Sequence, residues 1–303
     1  MAKKMKVLLL IDIQFEAEPG YEFEEELKDP YFATYAKALR SLKKKGHDVK
    51  VLGIFKKLDP LFEEVKKDRP DIIVNQADCF NDKSHLDKNI AWVLEMLGVP
   101  FTGASPTSLL ICNNKALNKK ILRYHRIHVP NFQTYYSDRK IKVLKKLKLP
   151  CVVKPLAEEA SRGISLASVV DTEAALIERV KFIHESMKQD AIAEEYIEGR
   201  EFYIGIFGHK RLTVLPPREM IFGNLPDDEP RIATYKAKWD KEYQKRWKID
   251  NVPAKNLDEA LLKKVSDMCK RAYRALNMKC YARFDIRITP EGKIYIIEPN
   301  ANP

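Results

Sequence analysis

The chain has 303 residues, of which 45% are hydrophobic and 32% are charged. This balance is typical of a globular protein with two or three domains, and it excludes a disordered or fibrous chain. The 54 lysines and arginines exceed the 43 aspartates and glutamates, which gives a net charge of +11. Because basic and acidic residues alternate along the predicted helices, we expect solvated helix faces and no nucleic-acid partner.

No apolar run approaches the roughly 20 residues needed to cross a bilayer, so we expect no membrane partner. The first apolar run, 7–11, is also too short for the core of a signal peptide. The five cysteines, at positions 79, 112, 151, 269 and 280, form no CxxC pair. Such a scattered, odd set predicts free thiols in a reducing compartment, and we expect a cytoplasmic protein.

The first third of the chain alternates strand and helix patterns. The apolar run 6–12 has the composition of a buried parallel strand. Gly46 and Gly98 each follow a predicted helix, at a place where glycine commonly ends one. Strands are predicted at 6–12, 47–53, 71–75 and 99–103, and helices at 31–45, 60–67 and 89–97. The alternation predicts a parallel α/β domain over residues 1–105.

The remaining two thirds predict two α+β domains, over residues 106–193 and 194–303. In the first, strands are predicted at 132–136, 151–155, 164–170 and 191–195, and helices at 115–124 and 172–187. In the second, strands are predicted at 201–207, 281–288 and 293–298, and a helix at 257–276. The last two strands are joined by a short Thr-Pro-Glu-Gly segment, which predicts a hairpin.

The predicted hairpin carries oxygen ligands on both strands. Asp285 lies within the first strand, and Glu298 and Asn300 lie at the end of the second. Two carboxylates and an amide oxygen are hard ligands suited to Mg²⁺, which commonly bridges substrate phosphates. These residues therefore indicate a candidate magnesium site. An alternative stays open, in which Asp285 only pairs with Arg283 or Arg287 and Glu298 caps a strand.

Two lysines and a loop of small residues indicate phosphate binding. Lys115 opens a predicted helix, and Lys154 lies inside the apolar strand pattern Val-Val-Lys-Pro. A lysine buried there requires an anion, which a phosphate group supplies. Residues 160–163 read Ala-Ser-Arg-Gly between two predicted strands, and backbone N–H groups in such a loop can cradle a phosphate chain. Many hairpins contain such residues, so the loop indicates phosphate binding only when it is considered together with Lys154.

The stretch 192–202 reads Ile-Ala-Glu-Glu-Tyr-Ile-Glu-Gly-Arg-Glu-Phe. Extended backbone of this kind can offer an N–H and a C=O group to the edge of a purine, with Glu201 turned toward ribose hydroxyls. A plain amphipathic strand followed by a turn explains the same spacing. Both interpretations remain open at this point.

In chain order, these motifs resemble those of ATP-grasp enzymes, and most closely those of the D-alanine–D-alanine ligase family. The matching segments are Lys115, Val-Val-Lys154-Pro, Ser161-Arg162-Gly163, Glu194-Glu195-Tyr196-Ile197, Glu201, Lys238, Arg283-Phe-Asp285 and Glu298-Pro-Asn300. The resemblance covers nearly the whole chain. It implies an N-terminal parallel α/β domain of the pre-ATP-grasp type, followed by a two-lobed ATP-grasp fold.

The resemblance also implies the cofactors, ATP and Mg²⁺, with two metal ions and Mn²⁺ as a substitute. The α- and β-phosphates would be held by Lys115 and Lys154, and the γ-phosphate would be covered by Ser161, Arg162 and Gly163. Adenine would be framed by Glu194, Glu195, Tyr196 and Ile197. Ribose would be bound by Glu201. Lys238 would bind the γ-phosphate, and Asp285, Glu298 and Asn300 would ligate the metal ions.

The activity implied is an ATP-dependent ligase that forms an amide bond through an acyl phosphate. Arg283, Lys238 and Ser161 would be the catalytic residues, with Arg283 over the acyl phosphate and the tetrahedral intermediate. The expected partners are a small-molecule carboxylate and an amine, with a homodimer as the candidate assembly.

The chain departs from the family where D-alanine is recognised. A glycine-rich segment with a glutamate is replaced at 12–20 by Asp-Ile-Gln-Phe-Glu-Ala-Glu-Pro-Gly, where Glu16 and Glu18 are weak substitutes. The family's His-Gly and Glu-Asp-Gly motif is replaced at 75–82 by Asn-Gln-Ala-Asp-Cys-Phe-Asn-Asp. The sequence stops at Pro303, before the family's substrate-contacting segment and closing helix, so we expect a truncated form or an incomplete acceptor pocket. These departures predict a different carboxylate or amine.

Two other functions fit the same motifs. An ATP-grasp kinase would phosphorylate a small molecule without forming an amide. A nucleotide-binding regulatory module would bind ATP without turnover, although an unused cluster of Asp285, Glu298 and Asn300 would only destabilise such a protein.

Overall fold

The computed structural model describes residues 3–158, 161–226 and 228–303. The described chain forms two compact units, divided between Leu109 and Leu110. Within these ranges, no helix is both long enough and apolar enough to cross a membrane.

The first unit is built on a parallel sheet in which the most apolar strand is central. Its strands are β1 (Lys6–Asp12), β2 (Asp48–Ile54) and β3 (Ile72–Asn75), in the order β2-β1-β3. Its helices are α1 (Ala33–Lys44), α2 (Asp59–Lys67) and α3 (Asp87–Leu97), and α4 (Pro106–Asn113) crosses the division between the units. Leu8 and Leu10 pack with α2 and α3, whereas Leu9 and Ile11 pack with α1. Burial of β1 on both faces explains its continuous apolar run and confirms the predicted α/β fold.

The second unit begins with a helix and an antiparallel sheet. The elements are α5 (Lys115–Tyr124), β4 (Phe132–Tyr135), β5 (Cys151–Pro155), β6 (Val169–Val170), α6 (Glu173–Ser186) and β7 (Ala191–Glu195), with the sheet order β4-β7-β5-β6. The predicted strand at 164–170 is wrong over most of its length, because Leu166–Ser168 is a 3₁₀ turn. The Ser165 and Ser168 side chains each accept a hydrogen bond from the other's backbone N–H group, which competes with sheet pairing.

A larger antiparallel sheet completes the second unit. Its strands are β8 (Arg200–Gly208), β9 (Leu212–Val214), β10 (Arg218–Phe222), β11 (Ile249–Pro253), β12 (Tyr281–Ile288) and β13 (Ile294–Asn300). Their order is β11-β10-β8-β12-β13, with β9 paired to β8, and the helices are α7 (Tyr235–Trp239), α8 (Lys241–Trp247) and α9 (Glu259–Ala275). The predicted hairpin is present as β12 and β13, and Asp285 lies directly opposite Glu298. The sequence analysis did not predict β9, β10, β11, α7 or α8.

The two sheets of the second unit meet at a short connection between β7 and β8. The predicted domain boundary at 193/194 falls beside this connection, and the division into two lobes there stays a prediction. Gly199 lies in the connection with φ of +146°, and a Cβ atom at that position would lie 2.2 Å from the carbonyl oxygen of Ile288. Only glycine fits both this backbone conformation and this close approach.

Gly199→Ala should therefore lower the free energy of unfolding by about 3–5 kcal/mol, from backbone strain and steric overlap together. Gly292→Ala is the matched control, since Gly292 also has positive φ, +78°, but a Cβ atom there meets nothing within 4 Å. The control substitution should lower the free energy of unfolding by about 1–2 kcal/mol, from backbone strain alone. Urea unfolding of the three proteins measures both changes. Equal losses for the two variants would contradict the close-approach argument.

Candidate nucleotide site

A buried carboxylate shared by two lysines forms the centre of the candidate site. Glu194, on β7, is 2% exposed. Its two carboxylate oxygens lie 3.0 Å from Nζ of Lys119 and 3.1 Å from Nζ of Lys154. Removing either partner of such a buried pair leaves an uncompensated charge, which costs about 3–5 kcal/mol. The three side chains therefore fix α5, β5 and β7 relative to one another.

Helix α5 supplies two lysines to this region because of its spacing. Asn114 caps the helix by accepting a hydrogen bond from the backbone N–H of Leu117. Lys115 and Lys119 are four residues apart, so they project from the same face. Nζ of Lys115 lies 3.5 Å from Oε1 of Glu298, and Nζ of Lys119 donates to the carbonyl of Ile297 at 2.8 Å. Both lysines thus contact the end of β13.

The electrostatic balance of these groups favours ionised carboxylates. Burial alone would raise the pKa of Glu194, but Lys119 and Lys154 hold it below its usual range. Burial likewise opposes ionisation of Glu298, yet Lys115, Lys154 and other nearby lysines lower its pKa to about 2. Burial lowers the pKa of Lys119 to about 8, even though Glu194 favours its charged form. The site therefore holds several lysines whose positive charge is balanced only by neighbouring acids.

Asp285 is the second buried acid, on β12. Its carboxylate accepts hydrogen bonds from Nε of Arg283 at 2.7 Å and from Nδ2 of Asn300 at 3.2 Å. Nζ of Lys238 lies 3.8 Å away. Burial raises the pKa of Asp285, while Arg283 and Lys238 act in the opposite direction. Asp285 thus pairs with Arg283, as the alternative interpretation predicts. This pair lies among the other candidate residues.

Glu201 is held by a different arginine. Nε and Nη2 of Arg287 both donate to Oε2 of Glu201, at 3.3 and 2.9 Å. The hydroxyl of Tyr203 donates to Oε1 at 3.2 Å. Nη1 of Arg287 also donates to the carbonyl of Ile197 at 2.7 Å. Arg287 thus joins the predicted ribose carboxylate to the predicted adenine-binding segment.

Most of the predicted residues line one cavity. They include Lys154, Ser161, Glu194, Glu195, Tyr196, Ile197, Glu201, Lys238, Asp285 and Glu298. Lys115, Arg283 and Asn300 join this group through their contacts with Glu298 and Asp285. The lysines and the metal-ligand candidates therefore face the same space, as binding of a metal-bearing phosphate chain requires.

The loop after β5 contributes less than expected to this cavity. Ser161 lines it, and its hydroxyl donates to the carbonyl of Ala233 at 2.9 Å. Arg162 is exposed, and the carbonyl of Gly163 accepts a hydrogen bond from Arg179 at 2.7 Å. Ala160 lies outside the described residues. Of the predicted phosphate loop, the structure thus brings Ser161 into the site and leaves Arg162 at the surface.

The cavity is narrow, at about 70 Å³. Sites for small molecules usually measure about 300–1,000 Å³, so this cavity by itself is too small for a whole nucleotide. Two hydrogen bonds join the opposing walls, from the Ser161 hydroxyl to Ala233 and from the Tyr235 N–H to the carbonyl of Ile164 at 3.1 Å.

Sequence reasoning missed two buried residues of the site, Lys119 and Arg287. Lys119 could have been found from its four-residue spacing from Lys115. Arg287 could have been found from strand alternation, since it is two residues beyond Asp285 and faces the same side of β12. Both were overlooked because a lysine or arginine in an amphipathic pattern is usually solvated.

The chain matches known proteins over most of its length. Residues 115–303 match the family model described as "D-ala D-ala ligase C-terminus". An uncharacterised protein y4sG from Sinorhizobium fredii is 33% identical over 211 residues, which cover 70% of this chain and 59% of that protein. The D-alanine–D-alanine ligase of Aquifex aeolicus is 28% identical over 286 residues, which cover 94% of this chain and 88% of the ligase.

Solved structures agree with the fold. A D-alanine–D-alanine ligase from Bacillus anthracis, complexed with ATP, has a TM-score of 0.71 at 22% identity, covering 99% of this chain and 87% of that one. VanG, a D-Ala:D-Ser ligase from Enterococcus faecalis, has a TM-score of 0.67 at 16% identity, covering 99% and 91%. At these identities the likeness concerns the fold, and it confirms the predicted ATP-grasp architecture. Since the family model spans more than half of its length, the chain belongs to the D-alanine–D-alanine ligase C-terminal family of ATP-grasp proteins.

Proposed function

We propose that this protein is an ATP- and Mg²⁺-dependent ligase that joins a carboxylate to an amine through an acyl phosphate. The observation that carries the proposal is the single cavity shared by Lys154, Lys238, Asp285 and Glu298. Its relatives include D-alanine–D-alanine ligases, which supports the same reaction class. Because ligases of this reaction class act on small molecules, we expect small-molecule substrates.

The proposed roles follow the position of each group. Lys115 and Lys154 hold the α- and β-phosphates, and the backbone of 195–197 frames adenine beside Glu201, which binds ribose. Lys238 and Ser161 hold the γ-phosphate, with Arg162 and Gly163 completing the loop over it. Glu194 is predicted to frame adenine with residues 195–197; its side-chain oxygens contact Lys119 and Lys154, which supports an additional role. It balances the charge of the phosphate-binding lysine.

The donor set fits Mg²⁺. The carboxylates of Asp285 and Glu298 lie on directly opposed positions of β12 and β13, and Asn300 contacts Asp285. These are hard oxygen donors of the kind that magnesium prefers. Asp285 and Glu298 would hold the metal, with Asn300 beside them. When bound, Mg²⁺ would offset negative charge on the phosphate oxygens.

The chain's own residues support both chemical steps. A substrate carboxylate oxygen attacks the γ-phosphorus and ADP leaves, which forms the acyl phosphate. An amine then attacks the acyl carbon, and inorganic phosphate leaves as the amide forms. Negative charge develops on oxygen in both steps, and Lys238 and Arg283 lie beside Asp285 to stabilise it. A closed cavity protects the acyl phosphate from water.

We further propose that the substrates differ from the two D-alanines used by the relatives. In the first unit, Asp12 is buried and accepts hydrogen bonds from the Tyr35 hydroxyl at 2.9 Å and from the N–H of Asp78 at 3.1 Å. Glu16 accepts a hydrogen bond from the N–H of Lys56 at 3.2 Å. Asp12 and Glu16, two of the three acids in the segment 12–20, are thus engaged with the protein itself.

Hydroxylamine distinguishes the ligase from its alternatives without knowledge of the acceptor. The protein is incubated with ATP, Mg²⁺, hydroxylamine and single carboxylates from a panel of D- and L-amino acids and short-chain acids. A ligase forms a hydroxamate together with ADP. ADP with a stable phosphorylated product and no hydroxamate would favour the kinase, and ATP binding without ADP would favour the regulatory module.

Lys154→Ala should weaken ATP binding about ten- to a hundredfold, because a charge-assisted contact to phosphate is lost. Asp285→Asn should change ATP affinity less than tenfold and mainly abolish ADP release, since the metal loses a carboxylate ligand. Calorimetric titration with ATP and an ADP-release assay measure the two effects. Lys148→Ala, at an exposed lysine before β5, is the matched control and should leave both unchanged. Equal loss of ATP affinity in the Lys154 and Asp285 variants would contradict these roles.

Lys119→Met should lower the free energy of unfolding by about 3–5 kcal/mol, because Glu194 loses one of its two buried cations. The next residue, Lys120, is exposed on the same helix, so Lys120→Met should change stability by less than about 0.5 kcal/mol. Urea unfolding of both variants tests the difference. Indistinguishable stabilities would mean that the buried pair contributes nothing to the fold.

A further inference from the structure

We infer that Arg287 is a positioning residue that makes the proposed nucleotide site selective for ribonucleotides. The inference rests on the proposed function, because it assumes that the cavity binds ATP with Glu201 toward the ribose. Arg287 is 4% exposed and lines the cavity together with Glu201. Neither the sequence motifs nor the family resemblance assigned it a role.

Arg287 connects three parts of the cavity wall at once. Its guanidinium donates to Glu201 on β8, to the carbonyl of Ile197 in the connection before β8, and to the carbonyl of Arg231 in the segment before α7. The same group lies 5.0 Å from the ring centroid of Tyr196, within cation–π distance. A planar guanidinium with several fixed donors can hold such an arrangement, whereas a single ammonium group cannot.

The contacts to Glu201 decide which of its lone pairs stay available. Arg287 occupies Oε2 and the Tyr203 hydroxyl occupies Oε1, so the carboxylate cannot rotate. Each oxygen accepts up to two hydrogen bonds, so the two donors of Arg287 fill Oε2 and one acceptor position remains on Oε1. A carboxylate fixed in this way offers that position to one hydroxyl of a ribose. A deoxyribose that lacks this hydroxyl leaves the buried acceptor position without a donor.

An unpaired acceptor in a buried site is costly, and this cost produces selectivity. The wild-type protein should therefore bind ATP at least about tenfold more tightly than one of the two deoxynucleotides, 2′-deoxy-ATP or 3′-deoxy-ATP, whichever lacks the hydroxyl that Glu201 accepts. Without Arg287, Glu201 is free to turn and to pair with water. ATP should then bind more weakly, and the preference over the deoxynucleotide should fall to about threefold or less.

The experiment measures dissociation constants of ATP, 2′-deoxy-ATP and 3′-deoxy-ATP for the full chain and its variants. Arg287→Met removes the positioning group. Arg287→Lys keeps the charge but lacks the several donors of the planar guanidinium, so this variant should give an intermediate ratio of deoxynucleotide to ATP dissociation constants. Arg200→Met is the matched control, because Arg200 makes the same kind of forked pair, with Glu219, on the neighbouring strand pair and is exposed. It should retain the wild-type ratio.

The ratio separates positioning from simple loss of stability, which would weaken all three nucleotides equally. An Arg287→Met variant with the wild-type ratio would overturn the inference, as would a wild-type protein that binds ATP and both deoxynucleotides alike. If Arg287→Met does not fold, the ratio in Arg287→Lys decides in the same way. A wild-type protein that binds no ATP would instead overturn the proposed function, and this inference with it.

Discussion

The charge of Glu194 is the constraint on which the rest of the site depends. A carboxylate with 2% exposure can stay ionised only if cations replace the water it has lost, and Lys119 and Lys154 do so from two different elements. Among the described residues, neither lysine has another acid as close, so the three groups are mutually dependent. Their arrangement keeps a lysine charged at the wall of a narrow cavity, where an incoming phosphate would meet it.

Other carboxylates around the cavity are also paired with basic side chains. Arg287 balances Glu201, Arg283 and Lys238 balance Asp285, and Lys115 balances Glu298. Each of these acids thus has a basic partner, which a phosphate chain could bind or a metal ion could replace. The paired side chains occupy much of the space between the walls, which agrees with the small cavity volume of about 70 Å³. Ligand binding exchanges these pairs for contacts with the nucleotide.

Much of the fold and of the site could be predicted from sequence, because local patterns report it. The apolar run of β1 reflects burial on both faces, and the β12–β13 hairpin places Asp285 opposite Glu298 wherever its register is kept. The sequence could not reveal that Glu194 points at two lysines, since that depends on the packing of α5 against β5 and β7. Residues 166–168 read as a strand but form a turn, because two serine side chains bond to nearby backbone groups. Lys119 and Arg287 were missed for a different reason: a basic residue in an amphipathic pattern is usually solvated, and their acidic partners are distant in sequence.

The most direct test is a crystal structure with a non-hydrolysable ATP analogue and Mn²⁺, whose anomalous scattering locates the metal. The account predicts the β-phosphate within hydrogen-bonding distance of Nζ of Lys154, and the metal within bonding distance of both Asp285 and Glu298. It also predicts that Glu194 keeps its contact with Lys119. A nucleotide bound elsewhere on the chain, or a metal that contacts neither carboxylate, would contradict the central claim.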